Sequence, residues 1–191
     1  MDDFSGKVAV ITGGGSGIGA GVARACASAG MRVGVVDLGA ERAESVAKEL
    51  RDAGADAEPF AVDVSDAAAV DKLADDVFSR FGGVHLLHNN AGVLTYGRSW
   101  EHSDDEWRRV IGVNVLGAVH GANSFVPRMI EQHEPAHIVN TASSAALRYV
   151  PATALYNTTK FAVLGFSECL REELAPHGIG VSVLCPGAIT R

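Results

Sequence analysis

The stretch VAVITGGGSGIGAGVARACASAG, residues 8–30, most narrows what this chain can fold into. A run of β-branched and apolar residues gives way to a glycine-rich turn, and then to small apolar residues at helical spacing. That order reads as strand, tight loop, helix. Without Cβ atoms, such a turn lets backbone N–H groups approach a pyrophosphate, and the start of the helix adds a partial positive charge. The spacing reads two ways: Gly13, Gly17 and Gly19 as G-x-x-x-G-x-G, or Gly15, Gly17 and Ala20 as the G-x-G-x-x-A form of a dinucleotide fingerprint. A purely structural turn is the competing explanation, and Asp37 weighs against it. It closes the next apolar run, 18 residues after Gly19, where a carboxylate can accept ribose hydroxyl protons and repel a 2′-phosphate. NAD rather than NADP is therefore the expected cofactor. Asp63 closes the third run and is a candidate for the adenine amino group, with a helix-initiating turn as its structural alternative.

The same alternation continues. KVAVIT (7–12), RVGVVD (32–37), AEPFAVDV (57–64), VHLLHN (84–89), HIVNTA (137–142) and GVSVLC (180–185) read as six strands buried on both faces. Residues 17–29, 40–53, 66–81, 104–130 and 156–174 carry apolar residues at helical period. Strand and helix in turn predict an α/β fold, a Rossmann-type doubly wound parallel sheet with helices on both faces, as one domain over residues 1–191. Asp66 and Ser103-Asp104 are expected helix starts, and Pro127 is expected to bend or end the fourth helix.

Composition bounds the partners. A formal net charge of −7, with no basic cluster longer than Arg108-Arg109, disfavours nucleic acid. Cys26, Cys169 and Cys185 stand far apart without C-x-x-C spacing, which suits reduced thiols acting as core filler in a cytoplasmic protein. MDDFSGKVAV lacks the layout of a signal peptide, and no apolar run is expected to reach membrane-spanning length, so no membrane partner is expected.

The segment LYNTTKFAVLGF, 155–166, sets Tyr156 and Lys160 four residues apart, on one face of a helix. A free tyrosine titrates near ~10, too high for proton transfer at neutral pH. A nearby ammonium favours the phenolate, and lowering that pKa by two units takes about 2.7 kcal/mol of differential stabilisation. Tyr156 could then exchange a proton with a carbonyl or alcohol oxygen, while Ser143 in IVNTASSA donates a hydrogen bond to that oxygen. On its own the Tyr/Lys pair is weak evidence, since such pairs are usually core edge and solvent. Beside a nucleotide loop it becomes specific.

With these motifs in view, the sequence resembles the short-chain dehydrogenase/reductase family, in its short single-domain branch, over essentially the whole chain. In family order come TGGGSGIG (12–19), Asp37, Asp63-Val64, NNAG (89–92), Asn114 in GVNVLGAV, the serine segment, YNTTK and Pro186-Gly187. The resemblance implies an NAD-dependent oxidoreductase acting on a secondary alcohol or ketone, with Ser143, Tyr156 and Lys160 as the active triad. Asn114 would hold a water that relays protons from Lys160, and Lys160 would also bind the nicotinamide ribose. Ser143 fits the pattern better than Ser144, lying three residues after Asn140 and thirteen before Tyr156. Gly13, Ser16, Gly17, Ile18 and Gly19 would form the pyrophosphate turn. Asp63, Val64, Asn90, Ala91 and Gly92 would line the adenosine end, and Pro186, Gly187 and Ile189 the nicotinamide end. The family also implies a homotetramer or dimer, pairing helices 104–130 and 156–174 across a two-fold axis, although packing on their own sheet explains the same apolar faces.

Two departures stand out. His85 and His88 occupy positions where the family commonly has an aspartate and an apolar residue; lacking partners at ligand spacing, they are expected to pack or hydrogen-bond rather than bind metal. Arg191 stands where the family has the threonine after its Pro-Gly turn, so Thr190 has no assured carboxamide role. The family pattern also continues through a lid, another helix and a seventh strand, so the chain is expected to be truncated at its C-terminus. Leu94, Tyr96, Ala145, Tyr149, Val150 and Leu155 are candidates for an apolar substrate wall or for ordinary packing. The alternative functional class is a non-catalytic NAD-binding or redox-sensing protein on the same fold.

Overall fold

The structure, a computed structural model, describes residues 4–187. Its six strands are β1 (Val8–Thr12), β2 (Arg32–Asp37), β3 (Ala57–Ala61), β4 (Leu86–Asn89), β5 (Ala136–Thr141) and β6 (Ile179–Leu184). They form one parallel sheet in the order β3-β2-β1-β4-β5-β6. The helices are α1 (Gly17–Ser28), α2 (Ala40–Asp52), α3 (Ala67–Phe81), α4 (Asp104–Ile111), α5 (Gly117–Glu131) and α6 (Ala154–Leu174). This is the expected Rossmann-like α/β architecture.

Successive residues of a strand face opposite sides, and β1 shows why an unbroken apolar run is needed. Val8 and Val10 pack with Leu73 and Val77 of α3 and with Phe125 and Met129 of α5. Ala9 and Ile11 pack with Ala20 and Ala23 of α1 and with Val46 and Leu50 of α2. Pro59, which cannot donate to a ladder, sits in the edge strand β3. Chain order reverses at β1, which has β2 on one side and β4 on the other. The loops after β1 and β4 therefore diverge and open a crevice at the carboxyl ends of the strands.

Several boundaries differ from the sequence expectation for identifiable reasons. β3 stops at Ala61 because Asp63 turns the chain, its Oδ1 accepting from the Ser65 N–H at 2.9 Å and from the Ser65 hydroxyl at 2.7 Å. β4 starts at Leu86 because both backbone groups of Val84 are taken by the Gln132 amide, at 3.0 and 2.7 Å. Asp66 does cap α3, accepting from the Ala68 N–H at 2.9 Å, and Ser103 forms a reciprocal capping box with Glu106 at the start of α4. Pro127 does not end its helix: α5 continues to Glu131, and the Arg128 guanidinium bonds the Ser124 carbonyl one turn back. α6 begins two residues before Tyr156.

Two further expectations are corrected. Residues 104–131 form one continuous 28-residue helical rod, joined by a π-helical segment at Gly112–Leu116, with an 18-residue window apolar enough to span a membrane by length and composition. Interspersed His, Asn and Gly hide that run in the sequence; here 44% of the window is buried, with α5 against α3 and β4. Of the cysteines, Cys26 is core, with its thiol pushed up to about 11 by burial, whereas Cys169 on α6 is exposed.

Candidate active site

The crevice is a cleft of about 490 Å³ above β1, β2, β4 and β5. Its floor at one end is the glycine turn. Gly13 has φ +64°, a left-handed backbone that glycine adopts without strain. A Cβ on Gly19 would overlap the Gly13 carbonyl oxygen and lie 2.7 Å from Asn90 Nδ2, so the first turn of α1 can close down only on glycine. The turn is fastened to the end of β4. Thr12 Oγ1 accepts from the Asn90 and Ala91 N–H groups at 2.9 and 3.1 Å, and Asn90 Nδ2 donates to the Thr12 carbonyl at 3.0 Å. Ser16 precedes α1 in extended conformation and makes no side-chain cap bond, so its hydroxyl is left for the cleft that it lines.

Asp37 ends β2 with only 6% of its surface exposed. Its Oδ2 accepts from the Gly15 N–H at 3.2 Å, and its Oδ1 from the Gly39 N–H at 2.9 Å. Arg42, in the first turn of α2, donates from Nε at 3.1 Å and from Nη2 at 2.5 Å to the same Oδ1. The glycine cradle and the carboxylate at the switch point suit a dinucleotide: the turn would hold its pyrophosphate and Asp37 its adenosine ribose.

At the other end, α6 carries Tyr156 and Lys160 into the cleft on one helical face. Lys160 is 3% exposed; its Nζ donates to the Thr141 carbonyl at 2.7 Å and lies 5.6 Å from the centre of the Tyr156 ring. Burial pulls the ammonium down from the usual lysine range to about 8. Ser143 follows β5 in extended backbone, lines the cleft and caps a short 3₁₀ turn by accepting from the Ala145 N–H at 3.1 Å. Ser144 is not on the cleft wall; its N–H is bonded to the Pro186 carbonyl at 2.8 Å.

Asn114 lies in the π-helical segment, behind the wall rather than on it. Its amide bonds both backbone groups of Val93, at 2.8 and 2.9 Å, and Thr159 Oγ1 at 3.0 Å. A Cβ on Gly92 would sit 3.4 Å from Asn114 Oδ1 and 3.5 Å from Lys160 Nζ, so the two side chains converge on that bare backbone. Gly17, Ile18, Asp63, Val64, Asn90, Ala91, Gly92, Pro186 and Gly187 all line the cleft, while Gly19 supports it from beneath. Ile189 and Thr190 lie outside the described residues. Of the candidate substrate wall, Leu94 lines the cleft, and Tyr96, Tyr149 and Val150 are exposed around the loops. Ala145 and Leu155 are core residues, 5% and 0% exposed, and belong to no wall.

Both unusual histidines hydrogen-bond. His85 Nδ1 accepts from the Val8 N–H at 3.1 Å, and its Nε2 faces Glu134 at 3.0 Å. His88 Nε2 meets Thr141 Oγ1 at 2.8 Å; because that hydroxyl donates onward to Asn90 Oδ1 at 3.3 Å, Nε2 carries the proton. Sequence reasoning missed Arg42 and Thr141. Arg42 had a local signal, a lone cation in the first turn of the helix after Asp37; Thr141 acts through its backbone carbonyl and had none.

A family model described as short chain dehydrogenase matches residues 7–190. The chain is 46% identical to a short chain dehydrogenase/reductase from Burkholderia phymatum in complex with NAD, with a TM-score of 0.96 over 99% of this chain and 68% of that one. A metagenomic short-chain oxidoreductase in complex with NADP is 35% identical, with a TM-score of 0.92 over 97% of this chain and 84% of that one. A probable oxidoreductase, EphD, from Mycobacterium tuberculosis is 37% identical over 97% of this chain, which spans only 31% of that relative's length.

Proposed function

Because this chain belongs to the short chain dehydrogenase family, we propose that it is an oxidoreductase moving a hydride between the nicotinamide of NAD and an apolar secondary alcohol or ketone, with Tyr156 as proton donor and acceptor. One observation carries the reading: Ser143, Tyr156 and Lys160 line the same cleft as the glycine turn and Asp37. When bound, NAD supplies the hydride acceptor. The chain's own residues do the rest. Tyr156 holds or gives up a proton at its phenolic oxygen, and the Lys160 ammonium, fixed on the Thr141 carbonyl, lies 5.6 Å from the centre of that ring. Ser143 donates to the reacting oxygen as charge develops on it. Asn114, bound to Val93 and Thr159, orients the segment next to Lys160, and a water held there would relay protons.

Substrate polarity follows from the wall. Apart from Lys160, the charged groups lining the described cleft are Asp37, Arg42 and Asp63, all at the adenosine end, while Val93, Leu94 and Val113 present apolar surface. The test is Tyr156→Phe. Turnover on an alcohol and ketone panel should fall about 10²–10⁴-fold while NADH binding is unchanged. Retained turnover removes Tyr156 from this role. NADH binding by the unaltered protein with no turnover on any panel member supports a non-catalytic NAD-binding or redox-sensing role instead. Light scattering tests the accompanying proposal of a homotetramer or dimer, which a monomer would remove.

A further inference from the structure

Asp37 does not act alone. Its Oδ1 already receives three donors, the Gly39 N–H and the Nε and Nη2 of Arg42, and only Oδ2, with the Gly15 N–H, has room for ribose. The local sequence makes space for that arginine. Gly39 is the N-cap of α2, a position where Ser, Asp or Asn would stabilise the helix, and it makes no side-chain cap bond. A Cβ there would lie 2.8 Å from Arg42 Cζ, and one on Gly15 would lie 2.7 Å from Arg42 Cβ. Arg42 also sits in the first turn, where the helix dipole disfavours a cation. Two bare glycines and a misplaced charge are thus spent on holding one guanidinium against the ribose-binding carboxylate. The Arg42 side chain is 57% exposed and lines the cleft.

We propose that Arg42 is a second determinant of cofactor choice: while Asp37 holds it the pair favours an unphosphorylated ribose, and when the carboxylate is removed Arg42 becomes the ligand of a 2′-phosphate. This rests on the NAD reading above. Charge decides it. A bare Asp37 repels a 2′-phosphate, whereas removing the carboxylate both ends that repulsion and frees a planar fork of donors already at the ribose. The chain therefore stands one substitution from NADP, with no new basic residue needed.

The experiment is a double-mutant cycle, titrating NADH and NADPH by nicotinamide fluorescence with the unaltered protein, Asp37→Ser, Arg42→Gln and the double variant. Asp37→Ser should bind NADPH more tightly than the unaltered protein does. Adding Arg42→Gln should take back about tenfold of that affinity and flatten its salt dependence, while NADH binding by the two variants stays within about twofold. Equal NADPH affinity in Asp37→Ser and the double variant overturns the role of Arg42 and leaves the NAD reading standing. Binding of neither nucleotide to any of the four proteins overturns both.

Discussion

Replacing Lys160 by Met should make the protein more stable and nearly inactive, a combination that ordinary core residues do not show. Lys160 is 3% exposed, and among the described residues its ammonium has one hydrogen-bond acceptor, the Thr141 carbonyl at 2.7 Å. Burial lowers its pKa from 10.5 to about 8. At pH 7 that difference corresponds to about 3 kcal/mol of destabilisation, because the unfolded chain keeps the charge in water. Met fills similar volume without charge, but it leaves the Thr141 carbonyl without its donor, at a cost of about 1 kcal/mol. The expected gain at pH 7 is therefore about 2 kcal/mol. The gain falls with pH in a defined window. Between pH 8 and 10.5 the unfolded chain binds more protons than the folded one, so the unaltered protein gains stability as pH rises while Lys160→Met gains none from this site. By pH 9.5 the difference should shrink by about 2 kcal/mol and close. Urea melts of both proteins at pH 7 and 9.5 measure it, with turnover assayed in parallel. A variant less stable at pH 7, with the same pH dependence as the unaltered protein, would refute a buried cation held at a cost to stability.

Three further outcomes follow from other parts of the molecule. His88, pushed down to about 4 by burial, costs stability as pH falls from 6.5 towards 4, because the unfolded chain takes the proton first; His88→Leu should abolish about 3 kcal/mol of that loss in urea melts compared at pH 7 and 4. Gly19→Ala drives a Cβ into the Gly13 carbonyl and should lower stability by about 2 kcal/mol and abolish NADH binding, read by thermal melts and fluorescence titration. Ser103→Ala removes the capping box of α4 and should cost about 1 kcal/mol in a urea melt, with NADH affinity unchanged.

The sheet was legible because strands covered on both faces must be apolar at consecutive positions, as Val8 to Ile11 are. Strand ends were less so. β4 begins at Leu86 because Gln132, 48 residues away, occupies Val84, and no local pattern carries that information. The glycine turn and the Tyr156/Lys160 pair were readable because each is a local spacing, a tight turn or one helical face. Asn114 was placed by family order alone: the π-helical segment breaks the 3.6-residue period that would have assigned its face. The sequence left Ala145 and Leu155 open between substrate wall and core because an apolar residue beside a loop reads the same whether it lines a cleft or fills a core; their burial decides for core.

Positions where local rules fail gather around the cleft. The helix cap Gly39 offers no side chain, Ser16 does not use its own, and Arg42 stands at the wrong end of a helix dipole. Lys160 is charged and buried, and Ala152, in the loop between Ser143 and Tyr156, holds φ at +60° where an alanine is strained. Away from the cleft, Asp66 and Ser103 cap their helices and Gly82 closes α3 in left-handed backbone, although His133 after α5 also holds a positive φ, +53°. The two charged exceptions each have a tertiary partner that compensates them, Asp37 for Arg42 and the Thr141 carbonyl for Lys160. Stability alone would have favoured a capping side chain at Gly39 and an apolar residue at 160. The retained choices keep one cation against the Asp37 carboxylate and another beside the Tyr156 phenol, at the two ends of one cleft.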